Sequence, residues 1–180
     1  GYFCVLGVLL QVLCKTRVIV PKKTLYCFRF VSAPLSVCES GRKLMAIKGG
    51  CYCGAIRYEA GGDAIMKASC HCRECQYFTG GQANTIMAMP TAEFRYTLGT
   101  PKGYRRADLE RGALREFCSD CGTHIATRSP SLPQAVILKV GTLDDPSVFG
   151  AAQMAMQIAD AQSFHHVPDD IARFERFPGQ

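Results

Sequence analysis

From Met45 to the C-terminus, apolar and polar positions alternate over short runs that break at Gly or Pro. Ala55-Ile56-Arg57-Tyr58-Glu59 alternates apolar with polar, and Phe94 to Leu98 does the same before the turn residues Gly99-Thr100-Pro101-Lys102-Gly103. Thr85 to Met89 is apolar and ends at Pro90, and Ala135 to Val140 is a second compact apolar run. Leu114 to Phe117 and Thr123 to Thr127 are two further β-rich runs, separated by a short polar break. Several such runs with frequent turn signals predict a mainly β domain of antiparallel sheets with little helix. A single helical turn is expected at Arg73 to Phe78. Ala151 to Ile158 is built of helix formers and fits helix or strand equally.

Charge divides the chain. Residues 1–44 hold seven of the 21 Lys and Arg (Lys15, Arg17, Lys22, Lys23, Arg29, Arg42, Lys43) against one acid, Glu39. That segment therefore carries +6, the net charge of the whole chain, and from Met45 onward 14 basic residues balance 14 acidic ones. A nucleic-acid footprint requires a basic face on the folded domain, so no nucleic-acid partner is expected. Arg105, Arg106, Arg111 and Arg115 are interleaved with Asp108, Glu110 and Glu116 and read as a solvated loop of mixed charge.

The apolar run from Gly1 to Cys14 is too short for a membrane span. It also lacks the preceding basic region and following small-residue site of a signal peptide. Residues 1–44 are expected to be a basic leader outside the fold, with Met45 as the natural beginning of a single domain over 45–180. The expected location is cytoplasmic, with no membrane partner.

Candidate chemistry lies in the cysteines. Seven of the 11 fall in three tight clusters: Cys51/Cys53, Cys70/Cys72/Cys75 and Cys118/Cys121. A structural zinc takes four thiolates in a closed tetrahedron, whereas a reactive zinc keeps three protein ligands and leaves a position open. Cys51, Cys53, Cys118 and Cys121 can together close one site. Cys70, Cys72 and Cys75 would then form an open one, giving two Zn2+ per chain. A disulfide framework fits poorly, since it rarely places cysteines one residue apart. The middle cluster also fits a thiol–disulfide centre. A closed zinc site contributes about 10–16 kcal/mol of apparent binding energy to folding, which suits a small domain of short strands.

Three stretches carry a resemblance: Gly49-Gly50-Cys51-Tyr52-Cys53-Gly54-Ala55-Ile56-Arg57-Tyr58, Cys70-His71-Cys72-Arg73-Glu74-Cys75-Gln76 and Phe117-Cys118-Ser119-Asp120-Cys121-Gly122-Thr123. In this order they resemble the glutathione-dependent formaldehyde-activating enzyme family, which includes the centromere protein V-like proteins. The resemblance covers Met45 to about Pro178. It implies an Mss4-like fold of antiparallel sheets stapled by zinc. It also implies a structural zinc at Cys51, Cys53, Cys118 and Cys121 and a catalytic zinc at Cys70, Cys72 and Cys75. The activity implied is that of a carbon–sulfur lyase joining glutathione or a similar small thiol to formaldehyde or another small aldehyde. The alternative within the same resemblance is a non-catalytic zinc module that binds a protein partner.

Four other features are weighed. His71 lies between two proposed ligands and is expected to point away from the metal. His124 reads as a surface or outer residue of the third cluster, and His165-His166 as a surface pair, with a proton supply near the site as the alternative. Gly80-Gly81, following Gln76 and Thr79, suits either a turn or close approach of a ligand backbone. No Ser-His-Asp arrangement, phosphate loop or dinucleotide fingerprint is present in the sequence, so neither triad hydrolysis nor nucleotide chemistry is expected.

Overall fold

A computed structural model describes residues 46–179. The expectations for residues 1–44 lie outside the described residues. Among the described residues there are eleven strands: β1 (Ile47–Gly50), β2 (Arg57–Ala60), β3 (Met66–Cys70), β4 (Asn84–Pro90), β5 (Phe94–Leu98), β6 (Lys102–Tyr104), β7 (Leu114–Phe117), β8 (His124–Arg128), β9 (Ala135–Lys139), β10 (Met154–Met156) and β11 (Ala172–Phe174). Among the described residues the one α-helix is α1, Arg73–Phe78, where a helical turn was expected. Strands β1, β2 and β5 form an antiparallel sheet, and the other eight form a second sheet in the order β11-β10-β3-β4-β9-β8-β7-β6.

The mainly β expectation holds, with one refinement. Strand β10 runs parallel to both β3 and β11, so the larger sheet is mixed. β10 lies inside the ambiguous 151–158 stretch, where an open flank of β3 outweighs helix propensity. Lys102 and Gly103, read as turn residues, belong to the edge strand β6.

The two sheets enclose the main core. Tyr58 and Ala60 from the smaller sheet, with Ile56 just before β2, meet Met87, Met89, Ile125, Val136 and Leu138 from the larger. Side chains alternate along a strand, so the opposite face of β4 presents Ile86 to a second cluster with Ala68, Cys70 and Met156. β4 is buried on both faces, which is why it reads as a continuous apolar run. Tyr58, 1 % exposed, satisfies its hydroxyl on Thr142 Oγ1 at 2.8 Å. Among the described residues no helix is long and apolar enough to cross a membrane.

Candidate metal centres

The four-cysteine set is built from two similar turns. Cys51 and Cys53 follow β1, with Cys51 N–H donating to Ile56 O at 3.0 Å and Gly54 N–H to Cys51 O at 3.1 Å. Cys118 and Cys121 lie between β7 and β8, where Cys118 N–H donates to Thr123 O at 3.0 Å and Gly122 N–H to Cys118 O at 2.9 Å. Gly54 and Gly122 take φ of 80° and 73°, left-handed values that favour glycine. One turn belongs to the smaller sheet and the other to the larger, so this site ties the sheets together. Tyr52 N–H adds a cross-link by donating to Thr123 Oγ1 at 3.2 Å.

All four sulfurs lie within 4.8 Å of one another and can hold a metal ion. Cys51 Sγ is 3.4 Å from Cys53 Sγ, and Cys53 Sγ is 3.7 Å from Cys118 Sγ. A zinc–sulfur bond of about 2.3 Å gives a tetrahedral edge of about 3.8 Å, close to both. The sulfurs compete for charge. The Ala55 backbone N–H favours a Cys53 thiolate, yet the Cys51 and Cys121 sulfurs push its pKa up to about 12. Cys121 falls to about 6 through the Thr123 hydroxyl and backbone N–H. Four thiols at this spacing ionise together only around a cation.

The second set is Cys70, Cys72 and Cys75, again within 4.8 Å of one another. Cys70 ends β3 and is buried. Cys72 caps α1, accepting from Cys75 N–H at 3.3 Å, and this helical turn brings positions 72 and 75 to one side. Asn84 Nδ2 donates to Cys75 Sγ at 3.6 Å. Hydrogen bonds from Cys70 and Cys72 hold Cys75 down at about 2, while the Cys72 and Cys75 sulfurs push Cys70 far above the thiol range. One proton-free sulfur therefore excludes the next, and a cation would relieve this.

His71 is fully buried and turned away from the sulfurs, as expected. Its Nδ1 lies 3.0 Å from His165 Nδ1, and Ser69 Oγ lies 3.4 Å from its Nε2. His165 Nε2 donates to Gly81 O at 2.8 Å, and Gln162 N–H donates to His165 Nδ1 at 3.3 Å. The surface reading of His165 is thus corrected: it braces the loop after α1, and only His166 is exposed. Gln76, 3 % exposed, fixes the other end of this helix by donating to His71 O at 2.7 Å and Asp160 O at 2.9 Å. Arg115 also departs from its solvated reading. It is 7 % exposed and donates to Glu74 Oε2 at 3.1 Å, so α1 is held from a third side.

A cavity of about 480 Å³ lies beside the four-cysteine set, with Cys121 in its lining. Thr123, Phe78, Asn84, His124 and Lys139 also line it. Asn84 links this wall to the three-cysteine set by its amide contact with the Cys75 sulfur. Registers Cys70↔Asn84 and Ile86↔Lys139 place Cys70, Asn84 and Lys139 on one face of the larger sheet. Burial lowers the Lys139 ammonium to about 8, against the opposing pull of the Cys75 and Cys70 sulfurs.

His124, expected at the surface or as an outer residue of the third cluster, stands in this cavity wall near Cys121. The β7–β8 register shifts between Glu116↔Ala126 and Phe117↔His124, leaving Ile125 as an extra residue. Such a bulge re-aims the neighbouring side chain. The His124 ring packs on Phe78, with centroids 4.9 Å apart, and its Nε2 lies 3.1 Å from Ala126 O. Among the described residues its buried Nδ1 has no hydrogen-bond partner.

Burial, with Lys139 adding to it, depresses His124 from 6.5 to about 3. Between those values the unfolded chain binds a proton that the folded chain refuses, so stability falls as pH drops through the window. The slope reaches about 1.4 kcal/mol per pH unit. Melting curves at pH 7 and pH 5 should show a smaller loss for His124→Phe than for the parent chain. An identical loss in both would remove His124 from the acid response.

Sequence reading missed Lys139 and Asn84. The signal for Lys139 was a single charge inside the apolar run 135–140; Asn84 carried none.

A family model decides the lineage. A model described as "Glutathione-dependent formaldehyde-activating enzyme" matches residues 46–159, well over half of the 180-residue chain. The chain belongs to the glutathione-dependent formaldehyde-activating enzyme family. All seven clustered cysteines fall inside the matched stretch, as do Asn84, His124 and Lys139, while His165 and β11 lie beyond it. No curated protein gives a significant sequence match. Among solved structures, the crystal structure of a structural-genomics target from Rhodobacter sphaeroides is similar at 21 % identity. The match covers 58 % of this chain and 96 % of that one, with a TM-score of 0.47.

Proposed function

We propose that this family member is a zinc-dependent enzyme of the carbon–sulfur lyase type. It would join a small thiol, glutathione or a similar one, to formaldehyde or another small aldehyde, and would also catalyse the reverse. One observation carries this reading: three cysteines gather without a fourth protein ligand, while four others form a separate, complete set. We assign the structural zinc to Cys51, Cys53, Cys118 and Cys121 and the reactive one to Cys70, Cys72 and Cys75. All-thiolate donors and near-tetrahedral spacing suit zinc.

A zinc at the three-cysteine set would offer its fourth position to the substrate sulfur and hold it as thiolate near neutral pH. The chain's own residues supply the positioning. Asn84 holds the Cys75 sulfur by its amide, and the Cys75 backbone N–H does the same for Cys72. Gln76, Arg115 and the His71–His165 pair fix α1 and its following loop, so the sulfurs keep their spacing as substrate enters. The cavity wall at Asn84, His124 and Lys139 would hold the aldehyde, and such placement lowers the barrier to addition.

The test replaces zinc by cobalt. Adding glutathione should change the metal's absorption, and formaldehyde should then be consumed faster than without protein. Both responses should vanish in Cys72→Ser. If no small thiol perturbs the spectrum and no aldehyde is consumed faster, the enzyme reading falls and a partner-binding zinc module replaces it.

A further inference from the structure

We propose that His124 Nδ1 and the Lys139 ammonium form a hydroxyl-recognition pair in the cavity wall, reading the oxygen of the aldehyde as it becomes a hydroxyl. This rests on the thiol–aldehyde reading above. His124 Nε2 lies 3.1 Å from Ala126 O and 3.2 Å from Thr127 Oγ1; the carbonyl can only accept and the hydroxyl can accept too, so we place the proton on Nε2 and a lone pair on Nδ1. That lone pair is buried and unpartnered among the described residues, in a ring held against Phe78. A buried acceptor without a donor is unusual and calls for a partner. Lys139 lines the same cavity and makes no ion pair with a carboxylate among the described residues.

The wall thus offers one bare acceptor and one cationic donor, the complement of a hydroxyl, which donates once and accepts twice. An aldehyde carbonyl can use the donor alone; the adduct's hydroxyl uses both. During addition a sulfur lone pair forms the S–C bond, and the C=O π pair moves onto oxygen, where Lys139 faces the growing charge. The oxygen takes up one proton, equal to the one the thiol sheds, by exchange with solvent in the open cavity. Neither His124 nor Lys139 is changed at the end. The site would therefore favour small aldehydes whose oxygen reaches the wall.

The test compares the parent chain, His124→Phe and His124→Asn, all metal-loaded, because Asn places an amide oxygen on the Nδ1 side of the ring. His124→Phe should lower kcat/KM for glutathione with formaldehyde by about 10- to 100-fold, and His124→Asn should recover most of it. Metal content and the thiol-induced cobalt spectrum should not move. Binding gives a readout independent of turnover. S-(2-hydroxyethyl)glutathione should bind the parent chain more tightly than S-ethylglutathione and shift the His124 Nδ1 nitrogen resonance. The preference should disappear in His124→Phe. Equal binding of the two analogues with an unmoved His124 resonance would overturn the proposal, whether or not the variant folds. Absence of thiol–aldehyde turnover in the parent chain would instead count against the proposed reaction, leaving the analogue comparison to judge the pair.

Discussion

Cys51→Ser and Cys118→Ser are expected to yield insoluble or unfolded protein, whereas Cys72→Ser should fold and lack only the second metal. The difference follows from what each cysteine joins. Cys51 and Cys118 are 5 % and 1 % exposed, and their turns come from the two different sheets that enclose the main core. A closed zinc site contributes about 10–16 kcal/mol to folding, comparable to or larger than the whole net stability of a typical domain, about 5–15 kcal/mol. Losing one of its ligands removes much of that. Cys72 is half-buried, caps a helix of six residues, and sits in a set confined to β3 and α1. Its loss opens nothing between the sheets. Circular dichroism and metal content of the three variants check this, and equal damage in all three would sink the division into structural and reactive sites.

Graded chelation should remove the two metals in order. With only three protein ligands, a metal at Cys70, Cys72 and Cys75 would keep one position open, so a mild chelator could form a mixed complex there and withdraw it with the strands intact. The four-cysteine site has no free position, and its ligands separate only when the sheets do. Its metal should leave at higher chelator concentration and together with the β-sheet signal. One metal equivalent released at constant circular dichroism, followed by a second released with unfolding, is the expected trace. Joint release with immediate loss of structure would refute it.

Local sequence carried much of the frame. Strands β5 and β7 and helix α1 occupy the stretches expected for them, and β2, β4, β8 and β9 fall on the expected runs within a residue or two. Each is bounded by turn residues and shows its period within a few positions, and the cysteine spacing marks both thiol sets. β1, β3, β6 and β11 were not marked by the pattern, and β10 was left open between helix and strand. β6, β10 and β11 have three residues each and β1 has four, and β10 joins β3 and β11 from far along the chain. Stretches this short have no periodicity to read, so pairing alone makes them strands.

The sequence by itself determined the mainly β class, the seven thiols and their grouping, because ligand spacing and strand alternation are local and written in residue order. Tertiary structure decided which side chains surround those thiols. Lys139 looked like one charge in an apolar run until the β4–β9 register put it on the face of Cys70 and Asn84. His124 entered the cavity only because Ile125 is bulged out of the β7–β8 ladder, an event that reverses side-chain direction without altering composition. His165, 94 residues from His71, became its partner through the path of the chain after β10. Residue order holds a period, but it does not hold register, and register sets which side chains share a face.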